Sequence, residues 1–352
     1  HASYRRQRQM CIRDSNKESN KMQEKIYFSV ITPAFNREQY LPKLVSSLQN
    51  QSKKNFEWII ANDGSSDNTI EYIQGIINDL DFPVKFISSD RRIGKSMIDN
   101  ILLDNVRGEF ILMCDSDDYF EANAMEKLTN VIESNAFTKS LSGVIGQNLN
   151  TLGVSQTFNV KKKLPENKEY SWSELEKILI GDGTICVRSS LFEGKRFPEV
   201  DFLSHESVLL RELYKHTRFI LITDVLKIMD RTAENSITHG KKIEYTRGSA
   251  YAITQTITVE KFGEFSLKDR FLKMLHYFRY SIHADISLKN SIKSWDVFKK
   301  YPYFCIVYPI SLLISIRDVL MKKVIKTHKE FDKNRLEFKL TETHNDYFKD
   351  SK

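Results

Sequence analysis

Three polar clusters in this chain combine residue types suited to binding a charged, phosphate-bearing ligand. They are Thr32-Pro33-Ala34-Phe35-Asn36, Asn62-Asp63-Gly64-Ser65 and Asp115-Ser116-Asp117-Asp118. Asp115 and Asp117, two carboxylates separated by one residue, present oxygens to a single hard divalent cation, as a diphosphate requires. Asp63 can accept from a nucleobase N–H, and Phe35 offers a ring edge against such a base. Each Asp or Asn could instead serve only to cap the helix that follows it. For Asp63 alone the two readings balance. Three such clusters at three strand ends are poorly explained by capping.

The elements that must position these clusters are legible as alternating patterns. Ile26–Thr32, Phe56–Ala61, Val84–Ile87 and Phe110–Cys114 are short apolar runs that read as strands. Between them Leu41, Leu44, Val45 and Leu48, then Ile70, Ile73, Ile76 and Ile77, recur at helical spacing, and a further helix is expected over Ser96–Asn105. Strands alternating with helices predict a parallel α/β sheet whose strands are buried on both faces. Ligands of such sheets bind outside the carboxyl ends of the strands, where the clusters stand. Farther on, Leu141–Gly146, Val154–Val160 and Arg218–Thr223 read as strands, and Glu174–Ile180 and Glu206–His216 as helices. After about Gly240 the chain is aromatic, basic and helical by pattern.

Of the 352 residues 41% are hydrophobic and 11% aromatic, which supplies a core and excludes global disorder, collagen and coiled-coil arrays. Cys11, Cys114, Cys186 and Cys305 are too far apart for a small disulfide scaffold and fit a reducing compartment. The net charge of +7 lies in two flanks, residues 1–25 and 317–335, each carrying +4. The nearly neutral body argues against a nucleic-acid groove, and a basic edge suits an anionic surface. Residues 1–25 show no apolar period and read as a disordered basic arm or an appended leader.

Phe28–Arg37 (FSVITPAFNR), Asn55–Asp67 (NFEWIIANDGSSD) and Gly108–Asp118 (GEFILMCDSDD) resemble, in order and spacing, the family 2 glycosyltransferases of GT-A fold. The resemblance covers residues 26–240 and implies a nucleotide-sugar-binding half, 26–134, joined to an acceptor half, 135–240. It implies inverting sugar transfer aided by Mn²⁺ or Mg²⁺. By the same resemblance Thr32, Pro33, Phe35 and Asn36 line the nucleoside pocket, and Asp63 holds the base. Asp115, Ser116 and Asp117 match the DxD motif, with Asp117 as the direct metal ligand and Asp115 beside it. Asn62 stands where many members carry Asp, a departure that touches the base and ribose contact rather than the fold. Lys95, in Gly94-Lys95-Ser96, is a candidate to neutralise phosphate charge. Pro198–Arg211 resembles the later acidic motif, which makes Glu206 the candidate base and His205 a neighbour that orients the acceptor. Arg231 is a candidate to clamp the pyrophosphate. Ala233 replaces a His found in many members.

Residues 241–352, outside the resemblance, are expected to form a helical extension. Tyr303–Ile316 is an apolar run of 14 residues interrupted by Pro309, too short to span a bilayer. Arg317, Lys322, Lys323, Lys326 and Lys329 follow it, a pattern that fits either an interfacial membrane segment or a packed core helix. The leading expectation is a cytoplasmic transferase, on the inner membrane face if the interfacial reading holds, that takes a UDP-sugar to a glycan or lipid-linked acceptor. Nucleotidyl transfer would instead call for a Gly-rich phosphate loop after the first strand, and Thr32–Arg37 has no Gly. A non-catalytic membrane-edge protein is the remaining alternative, against which Asp115, Asp117 and Glu206 speak.

Overall fold

The structure, a computed structural model, describes residues 26–157, 168–200, 204–230, 246–259, 265–293, 304–321 and 337–350. Residues 1–25, Arg231 and the run Lys322–Lys329 lie outside them.

The first half is built as the apolar pattern dictates. Strands β1 (Phe28–Ala34), β2 (Phe56–Asn62), β3 (Val84–Ser89) and β4 (Phe110–Met113) are parallel, in the order β3-β2-β1-β4. Helices α1 (Leu41–Gln49), α2 (Thr69–Ile76) and α3 (Lys95–Asp104) connect them. Side chains alternate across the sheet with period two. Phe28, Val30, Trp58 and Ile60 enter one core layer with α1 and α2, whereas Ile31, Ile59 and Ala61 enter the other with Ile98 and Leu102 of α3. Both faces are therefore covered, which explains strands without a polar side.

The second half mixes strand directions. After the short β5 (Tyr119–Phe120) and α4 (Ala124–Glu133) come β6 (Gly143–Asn150), β7 (Lys168–Ser171), α5 (Trp172–Ile178) and β8 (Thr184–Arg188). Then follow α6 (Ser207–Tyr214) and β9 (Arg218–Met229). β8 runs antiparallel between β4 and β6, and β9 pairs parallel with β6 and antiparallel with β5 and β7. The strand expected over Val154–Val160 is not formed in its described part. Asn150 turns the chain there, its Oδ1 accepting from the N–H groups of Leu152 and Val154, and only Ser155 bridges back to Leu149. A side-chain acceptor that satisfies a turn outcompetes a strand pairing.

The extension comprises α7 (Thr246–Val259), α8 (Leu267–His283), α9 (Leu288–Lys293) and α10 (Phe304–Leu320), with Ala250, Met274, Phe278 and Val307 in a third core. It also closes back on the first half of the chain, a feature its helical pattern did not suggest. β10 (Leu340–His344) adds antiparallel to the edge of β3, and α11 (Asp346–Asp350) follows it. Buried Asn345 joins the two: Nδ2 donates to the Phe82 carbonyl at 2.9 Å, and Oδ1 accepts from the Val84 N–H at 3.1 Å. Arg107, whose Nε donates to the buried Glu57 at 2.6 Å, carries Phe348 3.6 Å below its guanidinium. Asn345→Ala should strip partners from several buried carbonyls at once and cost about 2–3 kcal/mol in denaturant titration. An unchanged midpoint would show that the clasp carries no stability.

Candidate functional site

The carboxyl ends of β1 to β4 meet at one edge of the sheet, and the three clusters meet there with them. After β1 the chain turns through Asn36, whose φ of +53° places it in the left-handed region that Asn tolerates best among non-glycine residues. Two hydrogen bonds hold that turn: the Asn36 N–H donates to Ser65 Oγ at 2.9 Å, and its Oδ1 accepts from the Ser66 N–H at 2.9 Å. The β1 and β2 loops are thereby one unit. Gly64, at φ +63°, is pressed against the third loop, since a Cβ there would lie 2.3 Å from the Arg91 carbonyl carbon.

Asp63 joins the second loop to the third. Its Oδ1 accepts from the N–H groups of Ile93 (2.6 Å) and Gly94 (2.9 Å), and Arg92 Nε stands 3.9 Å from Oδ2. Burial raises its pKa to about 6 against the pull of those N–H groups and Arg92. The folded chain thus holds this proton more tightly than the unfolded one. Asp63 adds no penalty below its ordinary value of 3.8 and its full penalty above about 6. Asp63→Asn carries no such ionisation, so its stability relative to wild type should improve by about 2 kcal/mol between pH 4 and pH 7. A difference between the two that does not vary with pH would contradict the assignment.

Asn62 is fully buried, donating from Nδ2 to Ser88 Oγ at 3.0 Å and accepting from the Ser65 N–H at 3.2 Å. The Asn amide serves both contacts at once, as donor to Ser88 and acceptor from Ser65. Thr32 is also buried, its hydroxyl accepting from Trp58 Nε1 at 3.1 Å, so it faces the core rather than a pocket. Pro33 and Phe35 are half-buried. The Phe35 ring lies 4.2 Å from the Arg92 guanidinium.

The acidic cluster divides its roles by burial. Asp118 is buried and ion-paired to the equally buried Lys227 of β9 at 2.7 Å. Burial raises the Asp118 pKa while Lys227 opposes it. Asp115 is exposed, Ser116 buried and Asp117 half-buried. The Asp117 pKa is pushed up to about 6, first by burial and then by its neighbours Asp115 and Asp118, with Arg37 pulling the other way. Asp115, Asp117 and Asp118, with Asp99 and Glu206 close by, outnumber the cations Lys227, Lys95 and Arg37 that face them, which leaves negative charge that a cation would neutralise. Among the described residues there is no cluster of three or more His, Cys, Asp or Glu that could hold a metal by itself. Asp115 and Asp117 would supply two carboxylate ligands, and the remaining positions would fall to water and a diphosphate, the usual arrangement for Mg²⁺.

Lys95 gathers the rest. From the first turn of α3 its Nζ reaches Glu206 Oε1 at 2.6 Å, Asp99 Oδ2 at 3.2 Å and Asp115 Oδ1 at 3.9 Å. Burial lowers its pKa, but Asp99, Glu206 and Asp115 together hold it well above the usual lysine value. Glu206 stands immediately before α6, with its side chain 39% exposed. The structure therefore brings Glu206 and Asp115, distant in sequence, to one ammonium. His205 points elsewhere, its Nε2 lying 3.0 Å from Ser249 Oγ on α7, and burial lowers its pKa. Asp230 accepts from Lys43 Nζ at 2.6 Å.

Three residues of this edge were not singled out in the sequence. Asp99 is nearly fully buried one turn after Lys95, with a pKa that burial raises and Lys95 opposes. Its i,i+4 spacing from Lys95 was the available signal. Arg92 precedes the Gly94-Lys95 segment directly, and Arg37 closes the first quoted stretch. The Arg37 Nη1 donates to the carbonyls of Phe35 (3.1 Å) and Asn36 (3.0 Å).

Residues 29–192 match the family model described as glycosyl transferase family 2. The chain is 30% identical over 218 residues to the GalNAc(5)-diNAcBac-PP-undecaprenol beta-1,3-glucosyltransferase of Campylobacter jejuni, covering 60% of this chain and 67% of that one. It is 31% identical over 144 residues to the poly(ribitol-phosphate) beta-N-acetylglucosaminyltransferase TarS of Staphylococcus aureus, covering 40% of this chain and 24% of that relative. The crystal structure of S. aureus TarS 1–349 in complex with UDP-GlcNAc shares the fold, with a TM-score of 0.54 at 16% identity over 84% of this chain and 92% of that one.

Proposed function

The chain belongs to glycosyl transferase family 2 and is a glycosyltransferase, and we propose that it transfers a sugar, with inversion, from a UDP-sugar to a hydroxyl of a glycan or lipid-linked acceptor in surface-polysaccharide assembly. The observation that carries this reading is the meeting at Lys95 of Asp115, from the strand-end acidic motif, with Glu206, from the start of α6. The two carboxylates to which this reading gives the metal and base roles thus stand at one edge of the sheet. Support for the donor comes from the UDP-GlcNAc bound by the TarS structure, and support for a lipid-linked acceptor from the name of the Campylobacter relative.

In this reading Asp117 and Asp115 would hold Mn²⁺ or Mg²⁺, which would supply charge neutralisation for the departing diphosphate. Phe35 and Asn36 flank the nucleoside. Asp63 fixes the loop of Ile93 and Gly94 behind it and is the candidate to meet the base. Lys95 turns to the donor phosphates, and Glu206, relieved of its ion pair, takes the proton from the acceptor hydroxyl as that oxygen attacks the anomeric carbon. Arg231 would add a second cation to the pyrophosphate.

A panel of UDP-, GDP- and dTDP-sugars, incubated with the protein and Mn²⁺, tests the proposal. Release of free UDP from a UDP-sugar is expected. Pyrophosphate as product would indicate nucleotidyl transfer, and neither product from any donor would favour a binding role.

A further inference from the structure

Asp99 is a carboxylate on the buried side of α3, at 2% exposure and next to Ile98, which packs in the core with Leu102. Its two oxygens lie 3.3 and 3.2 Å from Lys95 Nζ, four residues earlier on the same helix. A buried ion pair adds little net stability, because desolvation offsets the attraction. Stability is therefore a poor reason for a carboxylate at this position, and its partner supplies a better one.

Lys95 faces two groups with opposed demands. Glu206, 2.6 Å away, must shed the ammonium before it can take a proton, since an ion-paired carboxylate is a weaker base. Asp115, 3.9 Å away, marks the side on which donor phosphates arrive in the proposed reaction. An ammonium has three protons to donate. Asp99 takes one and Glu206 another, which leaves the third for the Asp115 side. Of these three carboxylates only Asp99 is buried, whereas Glu206 is 39% and Asp115 56% exposed. Its charge is therefore the least screened. Lying one turn along the same helix, it stays with Lys95 whichever second partner the ammonium takes. A lysine without that seat would settle on Glu206, the nearest carboxylate left, and hold the base in its ion pair.

We propose that Asp99 is a positioning residue, which anchors the Lys95 ammonium between Glu206 and Asp115 so that the base is released when donor phosphates draw Lys95 across. It acts through Lys95 and touches no substrate. This role rests on the sugar-transfer reading, and it makes the charge of Asp99, rather than its shape, set the rate.

Asp99→Asn, of nearly the same shape and without the charge, tests it in the full chain. UDP-glucose and UDP-N-acetylglucosamine serve as donors, water as the acceptor and UDP release as the rate. Lys95 keeps Glu206 and Asp115, so the melting temperature should hold. The kcat should fall roughly tenfold or more, while UDP affinity, by calorimetry with Mn²⁺, stays within about twofold or tightens. In a Lys95→Met background the same substitution should change kcat by less than about twofold, the non-additivity expected of a residue that acts through another. Asp99→Glu keeps the charge and should recover most of the rate, although it fits a buried position worse. A rate for Asp99→Asn equal to wild type would overturn the proposal, as would losses of equal size in the two backgrounds or an Asp99→Glu slower than Asp99→Asn. No UDP release by wild type from either donor would instead fail the transfer reading, and this role with it.

Discussion

Glu206→Gln should slow sugar transfer by a factor of roughly 10²–10⁴ while leaving donor affinity nearly unchanged, the usual worth of a positioned general base. The amide keeps the size of the side chain and can still accept from Lys95, so the edge where Asp115, Asp99 and Lys95 meet need not rearrange. What it loses is the basicity to take the acceptor proton. Single-turnover kinetics with saturating donor and acceptor would separate the two effects. A near-normal chemical rate would move the base elsewhere, and His205 would be tested next. The same variant removes a negative charge from Lys95, so a modest tightening of donor binding is the expected sign if Lys95 pairs with phosphate.

Asp117→Ala should abolish the Mn²⁺-dependent part of donor binding with the fold intact. Asp117 is half-buried and sits among carboxylates that raise its pKa, so removing it relieves repulsion rather than breaking a core contact. Asp118 is the contrasting control: its carboxylate faces Lys227 with both groups buried, and Asp118→Ala would leave that ammonium uncompensated, at about 3–5 kcal/mol. Calorimetry with and without Mn²⁺, alongside thermal melts of both variants, distinguishes them. Unchanged nucleotide-sugar affinity in Asp117→Ala would refute the metal assignment, and a melt of Asp118→Ala equal to wild type would refute the structural role given to its neighbour.

The sequence by itself determined the architecture of the first half of this protein. Short apolar-rich runs such as Phe56–Ala61, alternating with helical patterns, fit strands buried on both faces, and the helical spacing of Leu41, Leu44, Val45 and Leu48 puts a helix over one of those faces. Once strands and helices alternate, right-handed parallel crossovers bring every strand end to one edge, so Asn36, Asp63 and Asp117 had to be near one another. Short-range pattern suffices there because each element is fixed by its own periodicity.

Only the tertiary structure decided what each of those residues touches. Thr32 and Asn36 belong to the same motif, yet the alternation of one strand turns the first onto Trp58 and a left-handed turn ties the second to Ser65. Which carboxylate of Asp115-Ser116-Asp117-Asp118 is neutralised depends on Lys227, which lies more than a hundred residues away on β9. The placement of Glu206 against Lys95, the return of Asn345 to the edge of β3, and the outward turn of Leu313 on α10 are likewise long-range. Local propensity is blind to them, because their free energy comes from pairing and burial between segments that periodicity describes one at a time.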